Sequence, residues 1–159
     1  IGRFEKEKRF DKCIDVVAQL HARGHDVGLT LVGNGSEAEN LKEHARMLHV
    51  ERYVRFVPWT EDLIPFLAEA DLVLVPSLYE GYGLVIIEAL AAGIPVLATN
   101  VGVAEEAGAM VVPIEEFTDA AERWVSSGPR QATLMGYPYG DFESYVSAYA
   151  DDIKATFGK

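Results

Sequence analysis

The chain has 159 residues, 49% of them apolar, and carries 25 acidic against 14 basic side chains for a formal net charge of −11. That length fits one packed domain, and the apolar share excludes a disordered chain. The charge excludes a surface that neutralises nucleic-acid phosphates or docks on anionic lipid, no apolar run reaches the ~20 residues of a membrane span, and the single cysteine, Cys13, excludes an internal disulfide or a thiolate metal cage.

Ile1-Gly2-Arg3 reads as the end of a strand entering a turn, and no signal peptide is visible, so a fragment of a longer protein is expected. Phe10, Cys13, Ile14, Val17 and Leu20 recur at helical spacing, and Gly24 closes that helix. Val27 to Val32 is a β-rich run that stops at Gly33-Asn34-Gly35. Ser36 is the expected N-cap of the next helix, with Glu39 as its capping-box partner and Leu41, Ala45 and Leu48 as its apolar face. Tyr53 to Val57 reads as a strand closed by Pro58, and Thr60 as the N-cap of a helix carrying Leu63, Ile64, Leu67 and Ala68. Leu72 to Val75 is a continuous apolar strand ended by Pro76. A loop from Ser77 to Gly83 leads into an apolar helix, Leu84 to Ala92, stopped by Gly93. Pro95 to Thr99 and Met110 to Ile114 read as strands, and Glu115 to Ser126 as an amphipathic helix. Phe142, Tyr145, Tyr149 and Ile153 return to helical spacing in the tail.

Strand and helix alternate about five times, and the strands are apolar without interruption. Strands buried on both faces belong to a parallel sheet covered by helices. The expected fold is α/β, a doubly wound Rossmann-like parallel sheet with helices on both faces, forming a single domain over 1–159. Such sheets bind ligands at the carboxyl ends of their strands, so the loops after Gly2, Val32, Val57, Val75 and Thr99 should share one edge.

The chemistry concentrates in Pro76-Ser77-Leu78-Tyr79-Glu80-Gly81-Tyr82-Gly83-Leu84-Val85-Ile86-Ile87-Glu88-Ala89. A glycine-rich loop runs straight into a helix start. The first N–H groups of a helix lack internal partners and carry the positive end of its dipole, which suits a phosphate. Gly81 and Gly83 permit close approach to the backbone. Glu80 and Glu88 flank the loop, and each carboxylate can accept hydrogen bonds from sugar or ribose hydroxyls. The competing interpretation is a tight strand-to-helix turn with two solvated glutamates.

Glu80-x7-Glu88 within Pro-Ser-x-x-Glu-Gly-x-Gly-Leu resembles the signature of retaining glycosyltransferases of the GT-B fold, group 1 (family 4). Gly2-Arg3 with Lys8 is similar to that family's Gly-Arg-x-x-x-x-Lys element, and Val32-Gly33-Asn34-Gly35 to its Val-Gly-x-Gly turn. Ala91-Ala92-Gly93-Ile94-Pro95-Val96 resembles its Ala-x-Gly-x-Pro-Val element, and Gly102 with Glu106 its Gly-Gly-x-x-Glu element. The likeness spans residues 1 to about 125, in order, and the Glu80–Glu88 block is its most specific part.

The resemblance implies the donor-binding, C-terminal half of an enzyme that moves a sugar from a nucleoside-diphosphate sugar to an acceptor hydroxyl with retention. Arg3 and Lys8 would hold the donor diphosphate and stabilise the leaving group. The N–H groups of Gly83, Leu84 and Val85 would hold the same phosphate. Glu88 would bind the ribose, Glu80 the transferred sugar and its oxocarbenium-like centre, and the backbone near Val57 the base. Glu106 would contact the sugar or simply act as an N-terminal helix acid. The donor is a substrate, and neither a cofactor nor a metal is expected. The acceptor, a sugar or lipid-linked glycan, would meet an N-terminal domain outside these residues, so the isolated chain is expected to bind nucleotide without turnover. The expected location is the cytoplasm, with the longer enzyme able to lie against a membrane.

Three positions depart from the pattern. Arg9 replaces a Gly after Lys8 and adds a rival cation, Pro58 replaces a Gly near the base, and Val103 replaces the second Gly of the late element. Two other classes remain open to test: a non-catalytic nucleotide-binding or regulatory module, and a Rossmann dehydrogenase. The second is disfavoured because the first turn lacks Gly-x-Gly-x-x-Gly. His21, His25, His44 and His49 have no metal spacing, and Cys13 reads as core. Ile1 to Lys12 holds five of the 14 cations, whereas Phe56 to Glu122 holds no Lys or Arg at all. A diphosphate at the glycine loop must therefore be met by neutral N–H groups on one side and by the N-terminal cations on the other, with Arg3 the leading candidate.

Overall fold

The structure is a computed structural model that describes residues 1–136 and Ser147. The aromatic tail from Phe142 to Phe157 therefore lies outside the described residues, Ser147 apart. Among residues 1–136, five strands and six α-helices alternate: α1 (Phe10–Ala22), β1 (Leu29–Val32), α2 (Ala38–Met47), β2 (Val54–Val57), α3 (Ile64–Ala68), β3 (Val73–Val75), α4 (Leu84–Ala91), β4 (Val96–Ala98), α5 (Ala104–Ala107), β5 (Met110–Val111) and α6 (Phe117–Ser127). Every strand pairing is parallel. β1 pairs with β2, Leu29 opposite Val54, and β4 lies between β3 and β5, Val73 opposite Val96 and Leu97 opposite Met110.

The pleat sends alternate residues to opposite faces, and the cores follow it. Val73 and Val75 of β3 join Val96 and Ala98 of β4 in one core with Ile86, Ala89 and Leu90 of α4. Leu97, between them in sequence, points to the other face and packs on Val16 and Leu20 of α1 and Phe117 of α6. Leu31 of β1 meets Ile14 and Val17 of α1 and Leu41 of α2. Helices thus cover both faces, as the uninterrupted apolar strands require.

The expected single sheet is instead divided into a pair and a triplet of strands, with a cavity of ≈ 400 Å³ between β1 and β3. Local capping also differs from expectation. α2 starts at Ala38 after Glu37, not at Ser36, because Ser36 donates both its N–H and its hydroxyl to the Glu5 carboxylate. Thr60 does not cap α3. The helix begins at Ile64, whose N–H donates to Asp62, while Thr60 accepts from the Asp62 N–H. Leu48 falls beyond α2 and is half-exposed rather than on a buried face. The fifth strand spans only Met110 and Val111, and Ile114 opens a 3₁₀ turn that leads into α6.

Candidate functional site

The carboxyl edge of the strands is tied together by main-chain hydrogen bonds between loops distant in sequence. Gly2 N–H donates to Val32 at 2.9 Å, Phe4 N–H to Asn34 at 2.8 Å, and Gly33 N–H to Val57 at 2.9 Å. Leu78 N–H donates to Glu7 at 2.7 Å and Thr99 N–H to Val75 at 3.1 Å. The five loops expected on one edge are therefore linked along it. Gly33 and Gly35 are needed for this contact: a Cβ at Gly33 would stand 1.8 Å from the Gly2 carbonyl oxygen, and one at Gly35 2.3 Å from that of Phe4.

Glu80 is the centre of the edge. Its Oε2 accepts from Lys8 Nζ at 2.6 Å, and its Oε1 accepts from the Ser77 hydroxyl at 2.8 Å. Lys8 and Glu80 are largely sheltered, with side-chain exposures of 19% and 12%, so their pairing is not a loose surface contact. Ser77 is itself buried, and its carbonyl accepts from the Thr99 hydroxyl. The carboxylate thus has one charged and one neutral donor, and the neutral donor is anchored to the end of β4.

Glu80 lies four residues ahead of the start of α4. Gly83 precedes the helix at φ 94, a left-handed conformation that favours glycine. Ile86 N–H donates to the Gly83 carbonyl at 2.9 Å, whereas among the described residues the N–H groups of Gly83, Leu84 and Val85 donate to no protein acceptor. These are the three groups expected to meet a phosphate. Gly81, Tyr82 and Leu84 are exposed, Val85 is half-buried and Gly83 is buried. Leu78, Tyr79, Tyr82 and Leu84 form an exposed apolar rim around the loop.

Gly102 holds this loop from the far side. It has φ 51, and a Cβ there would stand 2.2 Å from the Tyr82 carbonyl oxygen, which accepts from Val103 N–H at 2.9 Å. Val103 keeps the backbone contact that any residue can make. Glu106 follows in the short helix α5 and is exposed, as is Glu88 on α4.

The cations separate. Lys8 is the one brought to Glu80. Arg3 is 76% exposed, and its guanidinium reaches Glu7 at 3.8 Å. Arg9 is no rival beside Lys8, because its guanidinium turns to Asp11 at 3.0 Å. Arg9 occupies φ 51, ψ 42, the left-handed region in which the family pattern has Gly. The Val57 carbonyl accepts from Gly33 N–H at 2.9 Å and keeps a second lone pair, while Pro58 supplies no N–H. The sequence places Ser77 in the Pro-Ser-x-x-Glu motif but assigns no role to it or to Thr99. A serine three residues before Glu80 is the signal that could have found the first.

Among the described residues, no group of three or more His, Cys, Asp or Glu side chains is placed to hold a metal ion, and no helix is long and apolar enough to cross a membrane. The ≈ 400 Å³ cavity between β1 and β3 is lined by none of these site residues.

The sequence profile of the family described as glycosyl transferases group 1 matches residues 1–127. This chain belongs to that family. It is 41% identical over 100 residues to the lipopolysaccharide core biosynthesis glycosyltransferase LpsE of Rhizobium meliloti, covering 63% of this chain and 28% of that protein. It is 34% identical over 150 residues to a D-inositol 3-phosphate glycosyltransferase of Corynebacterium aurimucosum, covering 84% of this chain and 36% of that one. The structure of Anabaena Alr3699/HepE in complex with UDP-glucose superimposes with a TM-score of 0.79 at 23% identity, over 97% of this chain and 48% of that one, which establishes the shared fold. The chain spans 28% of the length of the first two curated relatives it matches.

Proposed function

We propose that these residues are the donor-binding, C-terminal half of a retaining glycosyltransferase that moves a sugar from a nucleoside-diphosphate sugar to an acceptor hydroxyl. The carrying observation is Glu80, clamped between Lys8 and Ser77 and four residues ahead of α4 with its free N–H groups. The UDP and UDP-glucose bound by the HepE neighbours support a nucleotide-sugar ligand.

The roles follow from charge. The donor's bond between its anomeric carbon and the diphosphate breaks with the electron pair leaving on a phosphate oxygen. That growing charge is met by the N–H groups of Gly83, Leu84 and Val85, by Lys8, and by Arg3 swinging from its exposed position. These groups take the part that a divalent cation plays elsewhere. Glu80 faces the opposite, electron-poor side of the reaction, the oxocarbenium-like sugar, and Ser77 keeps its carboxylate oriented when Lys8 turns to phosphate. The acceptor hydroxyl oxygen then bonds the anomeric carbon on the face the diphosphate left, and its proton passes to the departing phosphate oxygen. Glu88 serves the ribose from the exposed face of α4, and Glu106 the sugar from α5. The acceptor, a sugar or lipid-linked glycan, is presented by a second domain that meets the rim of Leu78, Tyr79, Tyr82 and Leu84. The 159 residues alone bind donor without transferring its sugar, and the longer enzyme acts in the cytoplasm or at a membrane face.

The test is Glu80→Gln in the longer enzyme, with transfer followed by the anomeric coupling constant of the product. We expect retained configuration in the wild type and a loss of about 10²-fold or more in the variant, the scale of removing a transition-state electrostatic contact. Unchanged transfer by the variant would remove Glu80 from the mechanism.

A further inference from the structure

The loop that carries Glu80 is pinned at two successive residues, from two different sides. Leu78 N–H donates to the Glu7 carbonyl at 2.7 Å, which ties the loop to the 3₁₀ turn that bears Lys8. Ser77, the residue before it, is tied to the end of β4. Thr99 follows β4 directly, its N–H donates to Val75 at 3.1 Å, and its hydroxyl donates to the Ser77 carbonyl. Ser77 and Thr99 are both buried, and among the described residues Thr99 is the one donor to that carbonyl. A buried carbonyl left without a donor is costly, so this bond holds the Ser77 main chain in place. The segment after β4 also holds the far end of the loop, where Val103 N–H donates to the Tyr82 carbonyl at 2.9 Å. Glu80 therefore lies between two ties to one segment.

We propose that Thr99 is a positioning residue for Glu80, acting through Ser77. The Ser77 hydroxyl reaches Glu80 Oε1 at 2.8 Å, and Lys8 Nζ reaches Oε2 at 2.6 Å. These two donors differ in freedom. Lysine is a point charge on a flexible stem and turns readily to a phosphate. Serine reaches through a single carbon, so its hydroxyl is aimed by its main chain, and Thr99 fixes that main chain. When Lys8 leaves for the diphosphate, Ser77 is the donor that stays, and the carboxylate keeps its direction because β4 holds Ser77. Valine matches threonine in shape but lacks the hydroxyl. Thr99→Val therefore frees the Ser77 carbonyl and loosens the aim of Glu80 without leaving a hole in the core. The consequence for transfer rests on the role proposed above for Glu80, whereas the placement of its carboxylate by Thr99 does not.

Two measurements test this. In the first, the 159 residues are labelled with carbon-13 at the glutamate carboxyl carbons, and the Glu80 resonance is identified by its loss in Glu80→Gln. The expected result is a single sharp Glu80 line in the wild type and in Thr99→Ser, and a shifted, broadened line in Thr99→Val and in Ser77→Ala. A Glu80 line in Thr99→Val identical to that of the wild type overturns the proposal, whatever Glu80 does in transfer. In the second, the longer enzyme is assayed with whichever of UDP-, GDP- and ADP-glucose it turns over fastest. Thr99→Val should lower kcat about 10-fold while KM for the donor stays within about twofold, on the scale of misplacing a reacting group. Thr99→Ser should restore kcat, and Thr99→Val placed on a Ser77→Ala background should cost little more than Ser77→Ala alone. An equal loss on both backgrounds, a loss confined to KM, or no recovery by serine overturns the route through Ser77. Unchanged transfer by Glu80→Gln beside a disturbed Glu80 line in Thr99→Val would overturn the role of Glu80 in transfer and support its placement by Thr99.

Discussion

Lys8 and Glu80 are 72 residues apart in sequence and 2.6 Å apart in space, and Ser77 completes the clamp on the carboxylate. Losing either partner has a different consequence. Lys8→Ala removes a cation from the phosphate side and should weaken binding of a nucleoside diphosphate by about 10- to 100-fold, the ~1.5–3 kcal/mol of a hydrogen bond to a charged group. Ser77→Ala leaves that cation in place, so binding should change little while transfer by the longer enzyme falls. Equal loss of binding in both variants, read by calorimetric titration, would contradict the division of roles. Cys13 gives a separate readout. Burial pushes its thiol up to about 12, so the folded state keeps the proton that an unfolded chain loses near 9. The stability this contributes is present in full below pH 9 and is lost between pH 9 and 12. Cys13→Val should flatten the decline of Tm across that range, and an unchanged decline would place its cause elsewhere. At this scale the sequence was partly legible. Glu80, Gly83, Leu84 and Val85 could be read because a glycine loop entering a helix is a local pattern. That Lys8, rather than Arg3, meets Glu80 could not, because that choice is made by the packing of the 3₁₀ turn at Lys6–Lys8 against the loop through the Leu78 N–H bond to Glu7.

The elements were legible in kind and less so in their ends. The apolar runs of β1 to β4 and the helical spacings of α1 and α6 were read where they occur, because periodicity is written within each segment. Their boundaries shifted where a polar side chain found a distant partner. Ser36 met Glu5 from 31 residues away and gave up the capping role that its local sequence offered. The loops show the same dependence on distant contacts. Gly102 lies against the Tyr82 carbonyl at φ 51, so Gly102→Ala adds both a forbidden contact and a strained backbone. It should destabilise the fold by more than ~1 kcal/mol, lowering Tm by at least about 2–4 °C, and weaken nucleotide binding by displacing the Tyr82–Leu84 turn. A Gly102→Ala protein with wild-type Tm and affinity would show that α4 is positioned without this strut.

Across the whole molecule, the layered α/β architecture could be inferred from the run of apolar strands, but the break between β1 and β3 could not. Strand order and spacing arise from crossovers, and nothing in a local segment encodes them. The charge distribution was legible, and it now has a structural meaning. The span from Phe56 to Glu122 lacks Lys and Arg, yet it supplies Glu80 and the N-terminus of α4, so the basic segment before Lys12 has to fold onto it. The main-chain bonds from Gly2 to Val32 and from Leu78 to Glu7 accomplish this. The proposed site therefore holds its anion between these two parts of the chain. Thermal unfolding of the 159 residues, titrated with UDP, GDP and ADP for the wild type and Lys8→Ala, tests it most directly. At a hundredfold excess over Kd, a bound diphosphate stabilises by ~2.7 kcal/mol, a rise of about 5–10 °C. One of the three should produce that rise in the wild type and a much smaller one in Lys8→Ala at the same concentration. No rise with any of them, or an equal rise in both proteins, would contradict the assignment.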